Sequence, residues 1–64
     1  MDDPDRETIL RLCTEAGMRM EDASVTALTI GGQDAGVMKD LLAELVAQGD
    51  QIGALLRAAR ALIE

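Results

Sequence analysis

The chain has no Phe, Tyr, Trp or His, and it has only one cysteine, Cys13, and one proline, Pro4. A single cysteine cannot form an intrachain disulfide, and without histidine the chain lacks the usual ligand set of a zinc site. The missing histidine and tyrosine also leave few groups from which a catalytic centre could be built. We therefore expect a protein that is not an enzyme and that binds no metal or cofactor.

Basic residues are scarce as well. Six Lys and Arg stand against twelve Asp and Glu, which gives a formal net charge of -6 at pH 7. Such a surface repels nucleic-acid phosphates and anionic lipid headgroups, so we expect neither a direct nucleic-acid partner nor a membrane partner. No apolar run approaches the 18 or so residues of a membrane span, and the acidic residues after Met1 do not resemble a secretory leader. The expected location is the cytoplasm.

Aliphatic residues dominate what is present. Hydrophobic residues make up 48 % of the 64 residues, whereas six Gly and one Pro are too few for a domain of many short strands. We predict one small all-α domain over residues 1–64. A chain this short hides only about 60 % of the surface that its unfolded form exposes. Because disulfides and soft metals are excluded, we expect self-association or a partner protein to complete its core.

The first predicted helix covers residues 4–30. It begins where Asp3 precedes Pro4, a typical helix start, and it ends at Gly31-Gly32, a pair that tolerates the left-handed conformation of a helix stop. Apolar residues recur along it at alternating steps of four and three, which predicts a seam buried against another helix. The seam residues are Ile9, Cys13, Ala16, Met20, Ala23, Ala27 and Ile30.

The stretch SVTALTI at residues 24–30 is ambiguous. Ser24, Val25 and Thr26 are weak helix formers, and their polar and apolar residues alternate as in a strand. The alternation fails at Leu28, however, and the chain offers no second strand to pair with. We predict a helix here, made tolerable by packing. The alternative is a three-helix arrangement in which the first helix breaks at Gly17.

The second predicted helix covers residues 34–63, with Asp34 as its cap. Apolar residues recur along this helix at heptad spacing, and a second line of mostly apolar residues lies directly beside this seam. The apolar stripe is therefore wider than the seam of a two-stranded coiled coil. A hairpin of two helices cannot cover such a stripe, so we predict a homodimer that forms a four-helix bundle. The seam is Met38, Leu41, Leu45, Gln48, Ile52, Leu55, Ala59 and Leu62, and the neighbouring line is Leu42, Gly49, Leu56 and Ile63.

Three residues in these seams have two interpretations each. For Gln48 and Gly49 we expect a buried polar side chain that specifies register and a close approach of helices, with a functional hinge as the alternative. For Cys13 we expect core packing, with a redox role or an intersubunit disulfide as the alternative.

The predicted function is that of a non-catalytic, acidic helical protein that self-associates and mediates protein–protein interaction as a regulator, adaptor or assembly subunit. Its expected partner-binding residues are apolar anchors outside the seams and an acidic pair spaced i,i+4. These are Met18, Leu42, Leu56 and Ile63, together with Asp40 and Glu44. The alternative function is an acidic decoy or antagonist that occupies the basic nucleic-acid-binding surface of a partner protein. Its carboxylates would come from Glu21, Asp22, Asp40, Glu44 and Asp50.

Overall fold

A computed structural model describes residues 3–64 as two antiparallel helices joined by a short turn. Helix α1 spans Asp3–Thr29, a 3-10 helix spans Ile30–Gly32, and helix α2 spans Ala35–Ala61. Each long helix has 27 residues and is therefore about 40 Å long. The Cα atoms extend over 50 × 15 × 11 Å, so the molecule is a single layer two helices wide. The prediction of an all-α hairpin is confirmed.

Helix α1 runs unbroken through Gly17 and through the ambiguous stretch, so the three-helix alternative is wrong. Two threonines of this stretch satisfy their hydroxyl groups within the helix by bonding to carbonyls of the preceding turn. Thr26 Oγ1 donates to the carbonyl of Asp22 at 3.2 Å, and Thr29 Oγ1 donates to the carbonyl of Thr26 at 3.1 Å. The helix begins at Asp3, one residue before the predicted start, and the predicted capping role of that side chain lies outside what the structure describes.

The turn uses the predicted residues in a different conformation. Gly31 and Gly32 belong to a tight 3-10 turn closed by a hydrogen bond from the Gln33 amide to the Ile30 carbonyl. No glycine within residues 3–64 has a positive φ, so the expected left-handed helix stop is wrong. The predicted cap is confirmed, because Asp34 Oδ1 accepts from the Val37 amide at 2.9 Å. A cap of this kind stabilises a helix by about 1 kcal/mol.

The face that α2 turns toward α1 matches its predicted seam from Met38 to Ala59, where every seam residue is buried or half-buried. Leu62 is the exception at 38 % exposure, because the helix already ends at Ala61. Gln48 lies in this face as expected, and its Oε1 atom is buried without a hydrogen-bond partner among the described residues.

The face that α1 turns toward α2 differs from the prediction. Cys13, Met20 and Ala27 are exposed, so their assignment to the seam within the hairpin is wrong. The apolar stripe of α1 covers two adjacent lines of residues, and a single neighbouring helix can cover only one of them. The covered line is the one with Leu12, which buries more apolar surface than Cys13 would. The contact face of α1 consists of Ile9, Leu12, Ala16, Arg19, Ala23, Thr26 and Ile30.

Candidate interaction surface

The hairpin has two broad sides, which follow from helix geometry. Both helices are right-handed and they run antiparallel, so a residue that directly follows a contact-face residue lies on the same side of the hairpin in either helix. Residues that directly precede the contact face lie on the opposite side. The hydrogen bond from Arg19 Nη1 to Gln51 Oε1, at 2.7 Å, agrees with this assignment, because Gln51 precedes Ile52 and the Arg19 partner Glu15 precedes Ala16.

One of these sides, here named the apolar side, carries mostly aliphatic residues. Its larger side chains are exposed, with Leu42 at 53 %, Val46 at 66 % and Leu56 at 40 %. Both helices contribute residues along most of their length. The uncharged members of the apolar side that matter below are Leu10, Cys13, Gly17, Met20 and Ala27 from α1, and Leu42, Val46, Gly49, Gly53 and Leu56 from α2.

The charges at the rim of the apolar side are mainly positive among the side chains that the structure describes. Arg6, Lys39 and Arg60 lie in the lines of residues that follow the contact face. Glu64, beyond the end of α2, brings a carboxylate to this rim, where it forms an exposed ion pair with Arg60 at 3.5 Å. Since the chain carries a net charge of -6, its acidic residues are concentrated elsewhere.

The opposite side, here named the polar side, carries much of that negative charge. Glu15 and Asp22 from α1 and Glu44 and Gln51 from α2 lie directly before the contact face. Glu15 pairs with Arg19 at 3.1 Å, and Arg19 in turn reaches Gln51 across the hairpin. Partly exposed pairs of this kind contribute at most about 1 kcal/mol each. The network therefore orients the two helices more than it stabilises them.

The structure divides the predicted partner-binding residues between the two sides. Leu42 and Leu56 lie together on the apolar side, and Ile63 lies beyond the end of α2. Met18, Asp40 and Glu44 occupy positions that precede the contact face, on the opposite surface. All six are exposed. The chain thus presents two separate candidate surfaces, one apolar and one acidic.

Sequence reasoning missed the α1 half of the apolar side. Cys13, Met20 and Ala27 were assigned to the seam, and Leu10 and Val46 were not singled out, although all five are exposed on this side. The signal that could have found them is the width of the α1 stripe. Leu12 connects Ile9 to Ala16 by steps of three and four, just as Cys13 does by steps of four and three, which indicates two apolar lines rather than one.

The hairpin alone leaves much apolar surface exposed. Only Ala16, at 0 % exposure, and Ala59, at 5 %, are buried hydrophobic residues, and no large side chain is fully buried in the described part of the chain. The accessible surface is 4774 Å², whereas a compact monomer of 6.8 kDa has about 4,000 Å². The radius of gyration is 14.9 Å, compared with about 11 Å for a compact domain of this length. The excess surface is therefore about 800 Å².

Neither a pocket nor a cluster of three or more potential metal ligands is found in residues 3–64. Neither long helix, over the part that the structure describes, combines the length and the apolar content that crossing a membrane requires.

These features define a helical hairpin with one apolar and one acidic side. Comparison with protein families, with characterised proteins and with solved structures finds no match to this chain.

Proposed function

We propose that this chain is a non-catalytic interaction protein that self-associates through its apolar side into a four-helix bundle and binds other proteins as a regulator, adaptor or assembly subunit. The observation that carries the proposal is the continuous apolar side, which is exposed on both helices. Large exposed apolar surfaces are rare on soluble monomers and mark sites of protein association. Two hairpins that pack through such faces form a two-layer bundle with a hydrophobic core, which one hairpin alone lacks.

The size of the exposed surface supports a second copy as the first occupant. A standard protein–protein interface buries about 800 Å² on each partner, and the hairpin exposes about 800 Å² more than a compact monomer of its mass. In such a dimer the polar sides of both copies face outward. They are then available to a further partner, with Met18 as an exposed apolar contact beside Asp40 and Glu44.

The mass of the protein in solution tests self-association. We expect light scattering with refractive-index detection to give twice the chain mass of 6.8 kDa, together with high helicity by circular dichroism. Refractive index is needed because the chain has no Trp or Tyr to absorb at 280 nm. The reactivity of Cys13 with a thiol reagent should fall as protein concentration rises, because this exposed cysteine lies on the apolar side. A helical monomer at all concentrations, with constant thiol reactivity, would contradict the proposal.

The acidic surface favours a second function, that of a decoy or antagonist which occupies the basic nucleic-acid-binding surface of another protein. Glu21, Asp22, Asp40, Glu44 and Asp50 are all exposed, so their carboxylates are free to meet a basic partner. Asp40 and Glu44 form an i,i+4 pair of like charges in α2, an arrangement that is mildly unfavourable until a basic group lies beside it. Binding of a basic surface would relieve this repulsion.

A lysine-rich peptide serves as the probe for this second function. We expect the Asp40→Asn, Glu44→Gln double variant to bind the peptide more weakly than the parent at about 0.1 M salt, and the difference to vanish near 1 M, where the charges are screened. The matched control is Glu7→Gln with Glu64→Gln, which removes the same charge from an exposed position of α1 and from an exposed residue beyond the end of α2. Equal loss in both double variants would show that only net charge matters and would count against a specific acidic site. Calorimetric titration measures both affinities.

A further inference from the structure

Two glycines in the middle of the helices have no role within the hairpin. Ala16 and Gln48 are the midpoints of α1 and α2, and Gly17 and Gly49 directly follow them. A glycine inside a helix is costly compared with alanine, so it usually has a packing reason. Neither has a positive φ, and a Cβ atom added at either position would meet nothing within 4 Å. The close helix approach that we expected at Gly49 therefore does not occur inside this chain.

Both glycines lie on the apolar side, near the centre of a molecule 50 Å long. Larger side chains stand on either side of Gly17 along α1, namely Cys13 and Met20. On α2, Val46 precedes Gly49, whereas Gly53, beside which the Arg57 guanidinium lies, separates Gly49 from Leu56. The side chains of the apolar side thus project least near its middle and further toward both ends. Small residues at such a point allow the backbones of two packed helices to approach closely.

A second copy meets this middle region in either orientation. Two rods bury the most surface when they overlap along their full length, and a two-fold axis then brings the middle of one copy against the middle of the other. This holds whether the two turns lie at the same end or at opposite ends. The surface excess of about 800 Å² agrees with such extensive overlap, because it is similar to one partner's share of a standard interface.

We propose that a second copy of this chain packs on the apolar side with its closest backbone approach at Gly17 and Gly49, which meet the same glycines of the other copy. This inference rests on the proposed self-association and adds where the two copies are closest. It also gives a packing reason for Gly17 and Gly49, which contact nothing within the hairpin. A missing side chain at these two positions costs no contact inside the chain and allows a second copy to approach more closely.

The test is the dimer dissociation constant of glycine variants, measured by sedimentation and light scattering across a dilution series of the full chain. Gly17→Leu and Gly49→Leu place large side chains at the point of closest approach, so each should weaken the dimer by at least about 30-fold, since the change occurs in both copies. Gly49→Ala should weaken it by about 5-fold or more. The matched control is Gly36→Leu, at an exposed glycine of α2 that does not lie on the apolar side, and it should leave the dissociation constant unchanged.

The Gly49→Ala variant distinguishes an effect on dimer packing from an effect on helix stability, because the two have opposite signs. Alanine favours a helix over glycine, so Gly49→Ala should strengthen the free hairpin while it weakens the dimer. A parent protein that dimerises while all three variants dimerise equally well or better would overturn the glycine contact and leave self-association intact. A parent protein that is monomeric throughout would instead overturn the proposed function itself.

Discussion

Replacing Leu42 and Leu56 together by glutamate is expected to convert the protein to a monomer with reduced helicity. Both leucines are partly exposed in the single chain and become buried only when the apolar side is covered. Burial of the remaining surface of each contributes about 1 kcal/mol, and a dimer contains four such side chains, so loss of the leucines alone should weaken association about 10³-fold. The four carboxylates add a further cost, because charges are not buried without partners.

The control for this experiment is the Val25→Glu, Leu28→Glu double variant. These two side chains are 63 % and 83 % exposed and lie off the apolar side, so the substitution makes the same change of charge on a surface that the bundle leaves open. We expect this variant to remain dimeric by light scattering and to keep the helicity of the parent. If both double variants dissociate equally, added negative charge rather than the apolar side would be responsible. If neither dissociates, the proposed interface is wrong.

The α2 half of the hairpin could be predicted from the sequence because its apolar residues define one dominant line. Leu41, Leu45, Ile52 and Leu55 are large, and only a helix that buries them explains their spacing. The cap at Asp34 followed from residue type, since a carboxylate at that position can accept from the third amide of the helix. In both cases a local rule and the long-range pattern favour the same structure.

The contact face of α1 could not be predicted in the same way. Ala16, Ala23 and Ile30 belong to both of its possible lines, and the predicted line is the more uniformly apolar of the two because the observed line contains Arg19 and Thr26. The deciding contacts involve the other helix, because Arg19 reaches Gln51 from the line that contains Leu12. In the sequence pattern, the polar Arg19 counts against the line that contains it. In the folded hairpin Arg19 lies at the edge of the contact face, where its guanidinium group keeps both water and hydrogen-bond partners.

The wrong assignment of the α1 contact face is also the reason that only the α2 half of the apolar side could be predicted. Cys13, Met20 and Ala27, which the sequence pattern assigned wrongly to the seam within the hairpin, lie on the apolar side together with Leu42 and Leu56. Amphipathic periodicity indicates that a face is buried without indicating against which helix. Cys13 and Met20 therefore fit the predicted bundle in a different place, between two copies rather than within one, and their assignment there is part of the proposed function.

Replacing Ala16 by leucine should separate the two helices of each chain and lower the melting temperature strongly. Ala16 is fully buried, and it is a small residue at the middle of α1, where the hairpin has no other buried residue on that helix. A larger side chain in a well-packed site costs about 1 to 3 kcal/mol, and each kcal/mol shifts the melting temperature of so small a domain by about 4 to 8 °C. We expect a decrease of about 10 °C or more by circular dichroism at matched chain concentration.

Ala43→Leu provides the control for the Ala16 variant, because it makes the same substitution at an exposed position of α2 with nearly the same helix propensity. It should leave the melting temperature within a few degrees of the parent. Equal melting temperatures for both variants would show that α1 and α2 do not pack closely at Ala16 in solution. Since Ala16 belongs to both apolar lines of α1, the antiparallel pairing of α1 with α2 would itself be wrong, and the apolar side would not exist as a continuous surface.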